Sequence, residues 1–89
     1  MSLIVLYRPI SEHASSTEQY IKEFHNLHPE VEIKTVDVDS EEGITAAGLY
    51  DIVEYPAIIA ITDDGRMLDA WMGTLPLMND VLSRVIAST

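Results

Sequence analysis

The length, charge and cysteine content of the chain exclude several classes of protein. Its 89 residues suffice for one domain, predicted to span residues 1–89, and are too few for a second hydrophobic core. The net charge of −10 disfavours nucleic acid and anionic membranes as partners, because both carry the same sign of charge as the protein. The sequence contains no cysteine, which excludes disulfides, thiolate metal sites and a cysteine nucleophile within these residues.

The first half of the chain has the pattern of a strand, a helix and a second strand. The apolar run Leu3–Tyr7 predicts a strand that is buried on both faces. Apolar residues three and four positions apart predict a helix from about Ser11 to Leu27, which His28-Pro29 ends. The interspersed charges of Val31–Val38 are typical of an edge strand, and the helical crossover before it predicts a parallel pair. One stripe of this helix is predicted to be buried: Tyr20, Ile21, Phe24 and Leu27.

The second half of the chain predicts a short helix, a hairpin and a final helix. The helix covers Glu42–Ile52, and Ala57–Ile61 is a second strand buried on both faces. Asp63-Asp64-Gly65 is a turn signal, so Met67–Met72 is predicted to pair with the preceding strand as an antiparallel hairpin. Pro76 suits the first turn of the last helix. That helix is predicted to bury Leu77, Val81, Leu82 and Val85.

The order and spacing of these elements resemble the thioredoxin superfamily. The stretch Tyr50–Ile61 is similar to the family's short helix, which leads through a proline-containing loop into a buried strand. Val36–Asp39 resembles a strand end of the family, Asp63–Arg66 its hairpin turn, and Gly73 the glycine after its last strand. The resemblance covers nearly the whole chain. It implies an α/β fold of the thioredoxin-like order β-α-β-α-β-β-α, with a four-stranded mixed sheet and helices on both faces.

The resemblance also shows which chemistry this chain lacks. The family's activity resides in a Cys-x-x-Cys motif after the first strand, where a helix N-terminus stabilises a thiolate. Here the resemblance places Ser11 and Ala14 at the two cysteine positions. A serine hydroxyl stays protonated where a thiol ionises, so thiol–disulfide exchange is ruled out for the chain as written. We therefore expect a redox-inactive protein that is not an enzyme.

The resemblance leaves binding as the predicted function. In the family the proline that corresponds to Pro56 is cis, and the residue before it, here Tyr55, exposes its backbone to an extended ligand. The alternative is that Pro56 only shapes the entry into a buried strand. We predict a module that binds a protein or peptide with a basic surface, in a groove beside Tyr55 rather than at the edge strand Val31–Val38. The candidate partner-binding residues are Ser11, His13, Tyr55, Pro56 and Gly73.

Two other functions remain open from the sequence. In a glutathione-binding or transferase-like protein, Ser11 would hydrogen-bond the glutathione thiolate. The segment Leu68–Gly73 lacks the acid-serine pair of such transferases, and Arg8 is the only nearby cation. A simpler role for Ser11 is to cap the N-terminus of the first helix. The third function is that of a structural or self-associating subunit, so a homo-oligomer also remains open.

Metal ions, cofactors and membranes are not expected. Asp37–Gly43 resembles the start of a calcium loop, but its glycine stands at the seventh position instead of the sixth. His25 and His28 lie one helical turn apart without a third ligand in the pattern. No segment has the roughly 18 apolar residues of a membrane span, and no signal-peptide pattern is present. We therefore expect a cytoplasmic protein.

Overall fold

The structure is a computed structural model that describes residues 2–87, with side chains described as far as residue 84. The strands are β1 (Ser2–Tyr7), β2 (Glu32–Asp37), β3 (Ala57–Ile61) and β4 (Met67–Met72). The helices are α1 (Ala14–Leu27), α2 (Glu41–Leu49) and α3 (Met78–Ala87). Their order along the chain is β1-α1-β2-α2-β3-β4-α3, so the predicted order is confirmed.

The four strands form one mixed sheet in the order β2-β1-β3-β4. β1 is parallel to β2, whereas β3 is antiparallel to both β1 and β4. Leu6 pairs with Val36 on one side and with Ala57 on the other, and Ala57 pairs with Met72. The last residues of β1, β2 and β4 and the first residue of β3 therefore lie at one end of the sheet. The loops that leave β1 and β4 and the loop that enters β3 meet at this end.

The core has one cluster on each face of the sheet. Leu3 and Val5 project to the face that α1 and α3 cover, where they pack with Phe24 and Val81. Leu6 belongs to the cluster on the opposite face, which α2 covers. All five residues of β3 are buried, because this central strand is covered on both sides, as its continuous apolar run predicts. Helices thus lie on both faces, with two on one face and one on the other.

The first helix begins later than predicted, at Ala14 instead of Ser11. The residue before it is His13, which makes no capping hydrogen bond with its side chain. The Ser11 hydroxyl instead donates to the carbonyl oxygen of Arg8, so the predicted role of Ser11 as a helix cap is wrong. The prediction for Leu27 is also wrong, because this last residue of α1 is exposed.

The second helix is shorter than predicted. Ser40 caps its N-terminus, since the Ser40 hydroxyl oxygen accepts the backbone N–H of Gly43 at 3.0 Å. The helix ends at Leu49, and Asp51 follows with a positive φ of 56° that a helix cannot continue through. Ile52, predicted to be helical, therefore leaves the helix and is buried in the core cluster on the α2 face.

The third helix begins at Met78, so Pro76 precedes it instead of lying in its first turn. Val81 is buried as predicted, but Leu77 is exposed because it lies in the loop before the helix. The burial predicted for Val85 concerns a side chain outside those that the structure describes. None of the helices within residues 2–87 is long and apolar enough to cross a membrane.

Candidate functional site

The predicted binding residues lie on three loops that meet at the end of the sheet where β1 finishes. Ser11 and His13 lie on the loop from β1 to α1, Tyr55 and Pro56 on the loop into β3, and Gly73 directly after β4. The register of the strands brings these loops to the same end of the sheet. A hydrogen bond joins two of them, because the backbone N–H of Gly73 donates to the carbonyl oxygen of Pro56 at 3.0 Å. We call the exposed side of these loops the sheet-end surface.

The loop from β1 to α1 is held by hydrogen bonds within itself. The backbone N–H of Arg8 donates to Nε2 of His13 at 3.1 Å, and the Ser11 hydroxyl donates to the Arg8 carbonyl oxygen. A turn follows, in which the N–H of Ala14 donates to the carbonyl oxygen of Ser11 at 3.3 Å. The polar groups of Ser11 and His13 therefore stabilise the loop that carries them.

Two further side chains fasten this loop to α1. Thr17 is fully buried, and its hydroxyl donates to the carbonyl oxygen of His13 at 2.8 Å. The Tyr7 hydroxyl donates to Oε2 of Glu18 at 3.1 Å, and the rings of Tyr7 and His13 are 6.4 Å apart. Burial raises the pKa of Tyr7, and the hydrogen bond to the Glu18 carboxylate raises it further. Side chains of β1 and α1 thus hold this loop against the first turns of α1.

Arg8 forms an ion pair that joins the same loop to the segment after β2. Its Nε and Nη2 donate to the two carboxylate oxygens of Asp39 at 3.0 and 3.2 Å. This paired hydrogen bonding raises the pKa of Arg8 and lowers that of Asp39. Arg8, the candidate cation for an anionic ligand such as glutathione, is therefore already paired with a carboxylate.

The loop into β3 has the features that the resemblance implies. The peptide bond between Tyr55 and Pro56 is cis. Pro56 is buried, whereas Tyr55 is half-buried and packs against the core cluster on the α2 face. Gly73 has a positive φ of 85°, and a β-carbon at this position would overlap the carboxylate of Glu54. The positive φ therefore gives Gly73 a structural reason for its place.

The sheet-end surface also carries three exposed apolar side chains that the sequence did not indicate as binding residues, and one of them, Leu77, was predicted to be buried. Ile10 is 93% exposed, Val53 is 79% exposed and Leu77 is 73% exposed, one on each of the three loops. Large apolar side chains that are exposed on neighbouring loops are candidates for contact with a partner. The signal in the sequence is weak, because Val53 follows the buried Ile52 and Leu77 precedes a helix, so their neighbours in the sequence favour burial.

Comparisons with known proteins support the fold through structure alone. No protein-family model and no curated protein matches the sequence. Thioredoxin 1 from Thermosipho africanus TCF52B is 10% identical, with a TM-score of 0.72 over 99% of this chain and 93% of that chain. Fasciola hepatica thioredoxin is 23% identical, with a TM-score of 0.70 over 98% of this chain and 77% of that chain.

A third similar structure is thioredoxin-2, described as a component of malaria parasite protein secretion machinery. It is 15% identical, with a TM-score of 0.76 over 99% of this chain and 82% of that chain. These likenesses confirm the predicted thioredoxin-like fold. They leave the function to be argued from the site, because one fold serves many functions.

Proposed function

We propose that this chain is a redox-inactive thioredoxin-like module that binds a protein or peptide at its sheet-end surface. The observation that carries the proposal is the exposure of Ile10, Val53 and Leu77 on the three loops that meet there. Removing apolar surface from water stabilises a complex by about 25 cal/mol per Å². These side chains would therefore stabilise a complex in which a partner covers them.

The loop hydrogen bonds support binding over chemistry. Ser11 stands where the family's first cysteine would, yet its hydroxyl already donates to the Arg8 carbonyl oxygen. These 89 residues contain no thiol that could attack a disulfide. Hydrogen bonds within a loop reduce the conformational entropy that it loses when a partner binds, which favours affinity.

The charges around the sheet-end surface favour a basic partner. Glu12, Asp51 and Glu54 are exposed on or next to the same loops, while Arg8 is neutralised by Asp39. The net charge of the whole chain is −10. A partner with lysine or arginine around an apolar centre would therefore associate faster at low ionic strength, and raising the salt above about 0.1 M would slow its association.

The test is to select peptides from a displayed library against the purified chain at low salt and to measure their affinity by fluorescence anisotropy. Substituting Ile10→Ser or Val53→Ser should weaken a selected peptide by about tenfold, because each removes a central apolar contact. Leu27→Ser is the matched control, since Leu27 is also exposed but lies at the opposite end of α1. An equal loss in the control, or no loss at Ile10 and Val53, would contradict the proposal.

Tyr55 offers a second measurement on the same surface. Tyr55→Ala should weaken the selected peptide without unfolding the chain, since its ring is only half-buried. Reduced glutathione is added as a competitor in the same assay. Displacement of the peptide by glutathione at low millimolar concentration would favour the glutathione-binding alternative over a protein or peptide partner.

A further inference from the structure

A second candidate surface is a groove that runs along α2, on the face of the sheet opposite α1 and α3. Its volume is about 430 Å³, which lies within the usual range for ligand pockets. We call it the α2 groove, and it is lined mainly by Ile4, Glu41, Glu42, Ala46, Leu49 and Tyr50. The sheet-end surface described above contains none of these residues, so the α2 groove is a separate site.

The α2 groove exists because the two faces of the sheet are covered unequally. Two helices pack on one face and α2 alone packs on the other. Within β1, Leu3 and Val5 project to the first face and are buried, whereas Ile4 projects to the second and is only half-buried. Leu49 on α2 is 70% exposed beside it. Helices pack with their axes about 8–10 Å apart, so one more helix beside α2 would cover this apolar surface.

The acidic end of the groove determines the charge of its occupant. Glu41 and Glu42 lie in the first turn of α2. Lys34 pairs with Glu42, but Glu41 has no ion pair within the described part of the chain. Carboxylates already occupy the positive end of the α2 dipole, so a further anion would be repelled and a cation attracted.

The net charge of the chain disfavours a second copy as the occupant of the α2 groove. Two chains that each carry −10 would repel one another across an acidic groove. A basic segment of another protein would be attracted instead. Its cation would pair with Glu41 while its apolar side chains cover Ile4 and Leu49. Charge complementarity therefore selects a cationic partner.

We propose that the α2 groove binds an amphipathic helix of a partner protein, with apolar side chains over Ile4 and Leu49 and a lysine or arginine beside Glu41. From Glu41 to Leu49 the helix α2 rises about 12 Å, at about 1.5 Å per residue. The apolar and basic side chains of the partner should therefore be about seven or eight residues apart, two turns along one helix face.

The probe is a fluorescein-labelled helical peptide of about four turns, with leucines along one face and two lysines at one end of that face. Two control peptides keep the length: one replaces the lysines by glutamine, and the other replaces the leucines by serine. The proposal expects both controls to bind at least about fivefold more weakly than the probe. If the serine control binds as tightly as the probe, binding depends on charge alone and the groove is not the site.

Variants of the chain locate the site. Leu49→Ser and Glu41→Gln should each weaken the probe by about fivefold to tenfold. The matched controls are Ile44→Ser, which changes an exposed α2 residue outside the groove, and Glu23→Gln, which removes an exposed carboxylate from α1. Both controls should leave the affinity within about twofold. Absence of binding, or equal losses in variants and controls, would overturn the inference. Ile10→Ser should have no effect, so this result is independent of the function proposed for the sheet-end surface.

Discussion

Gly43, in the first turn of α2, lies against the backbone carbonyl group of Asp37 at the end of β2. A β-carbon at position 43 would overlap that carbonyl oxygen. The contact fixes how closely α2 approaches the sheet, and the Ser40 hydroxyl oxygen accepts the Gly43 N–H in the same turn. Gly48 on the same helix differs, since nothing lies within 4 Å of the position that its β-carbon would take. Position 43 therefore has no room for a side chain, whereas position 48 does.

This contrast predicts opposite effects of alanine on stability. Gly43→Ala should lower the free energy of unfolding by about 1–3 kcal/mol, because the helix must move away from the backbone of β2. Gly48→Ala should raise it by about 0.5–1 kcal/mol, because alanine restricts the unfolded chain and favours the helix. Urea unfolding followed by circular dichroism measures both. Equal effects of the two substitutions would show that α2 does not approach β2 as closely as the structure has it.

The raised pKa of the Tyr20 hydroxyl leads us to expect a loss of stability at alkaline pH. Burial and, to a smaller extent, the Asp80 carboxylate raise the pKa of Tyr20 to about 12. A tyrosine in the unfolded chain ionises near pH 10, so between about pH 10 and 12 the folded chain retains a proton that the unfolded chain has lost. Stability is therefore full below pH 10 and falls as the pH rises towards 12.

Tyr20→Phe isolates this effect. Within the described residues the Tyr20 hydroxyl is buried without a hydrogen-bond partner, so its removal at pH 7 should be neutral or stabilising by up to about 1 kcal/mol. The alkaline loss of stability should become smaller, and the part that remains is due in part to Tyr7, whose pKa is also raised. Melting temperatures at intervals from pH 8 to about 11 test the prediction. An unchanged alkaline slope in the variant would contradict it.

The ion pair between Arg8 and Asp39 predicts an effect at acidic pH. The guanidinium lowers the pKa of Asp39, so the small stabilisation from this exposed pair is present above the usual carboxyl pKa and is lost as the pH falls through the lowered value. Arg8→Gln should raise the pKa of Asp39, as followed by NMR of its carboxyl carbon. Lys34→Gln is the control, because Lys34 pairs with Glu42 and should leave the Asp39 titration unchanged. A titration of Asp39 that does not respond to Arg8→Gln would rule out the pair in solution.

The sequence predicts the sheet better than it predicts the helix ends and the exposed surfaces. The predicted bounds of β3 are correct at both ends. Five consecutive apolar residues between Pro56 and a turn are too short for a helix and strongly favour a buried strand. The predicted start of α1 was wrong because Arg8, Ser11 and His13 form hydrogen bonds within the loop, and these replace a side-chain cap. Such bonds depend on three-dimensional positions that spacing in the sequence does not reveal.

The candidate surfaces were harder to predict for a different reason. Hydrophobic periodicity shows which residues favour burial, but not whether the folded chain itself has anything to bury them with. Leu77 was predicted to be buried and is exposed, and the α2 groove depends on two helices packing on one face and one on the other. The candidate residues Ser11, His13, Tyr55, Pro56 and Gly73 came from a family resemblance rather than from a pattern. The structure places them on three loops that meet at one end of the sheet, and their role in binding stays a prediction.

Introducing cysteines at positions 11 and 14 tests whether Ser11 and Ala14 correspond to the two cysteine positions of the thioredoxin-like motif. The N–H of Ala14 donates to the carbonyl oxygen of Ser11, so the two residues are the ends of a hydrogen-bonded turn. The α-carbons of such a turn lie within about 7 Å, close enough for a disulfide. The double variant Ser11→Cys with Ala14→Cys should therefore form an intramolecular disulfide on mild oxidation, and its thiols should return on reduction.

The measurement is a thiol titration of the double variant before and after oxidation, with its mass as a second readout. Ala14 is buried whereas Ser11 is partly exposed, so the cysteine at position 11 should react first with an added disulfide. The single variant Ser11→Cys is the control, because it should form only intermolecular dimers. If the double variant keeps two free thiols after oxidation, the placement of Ser11 and Ala14 at the cysteine positions is wrong. The basis for locating the binding surface by the resemblance would then be lost as well.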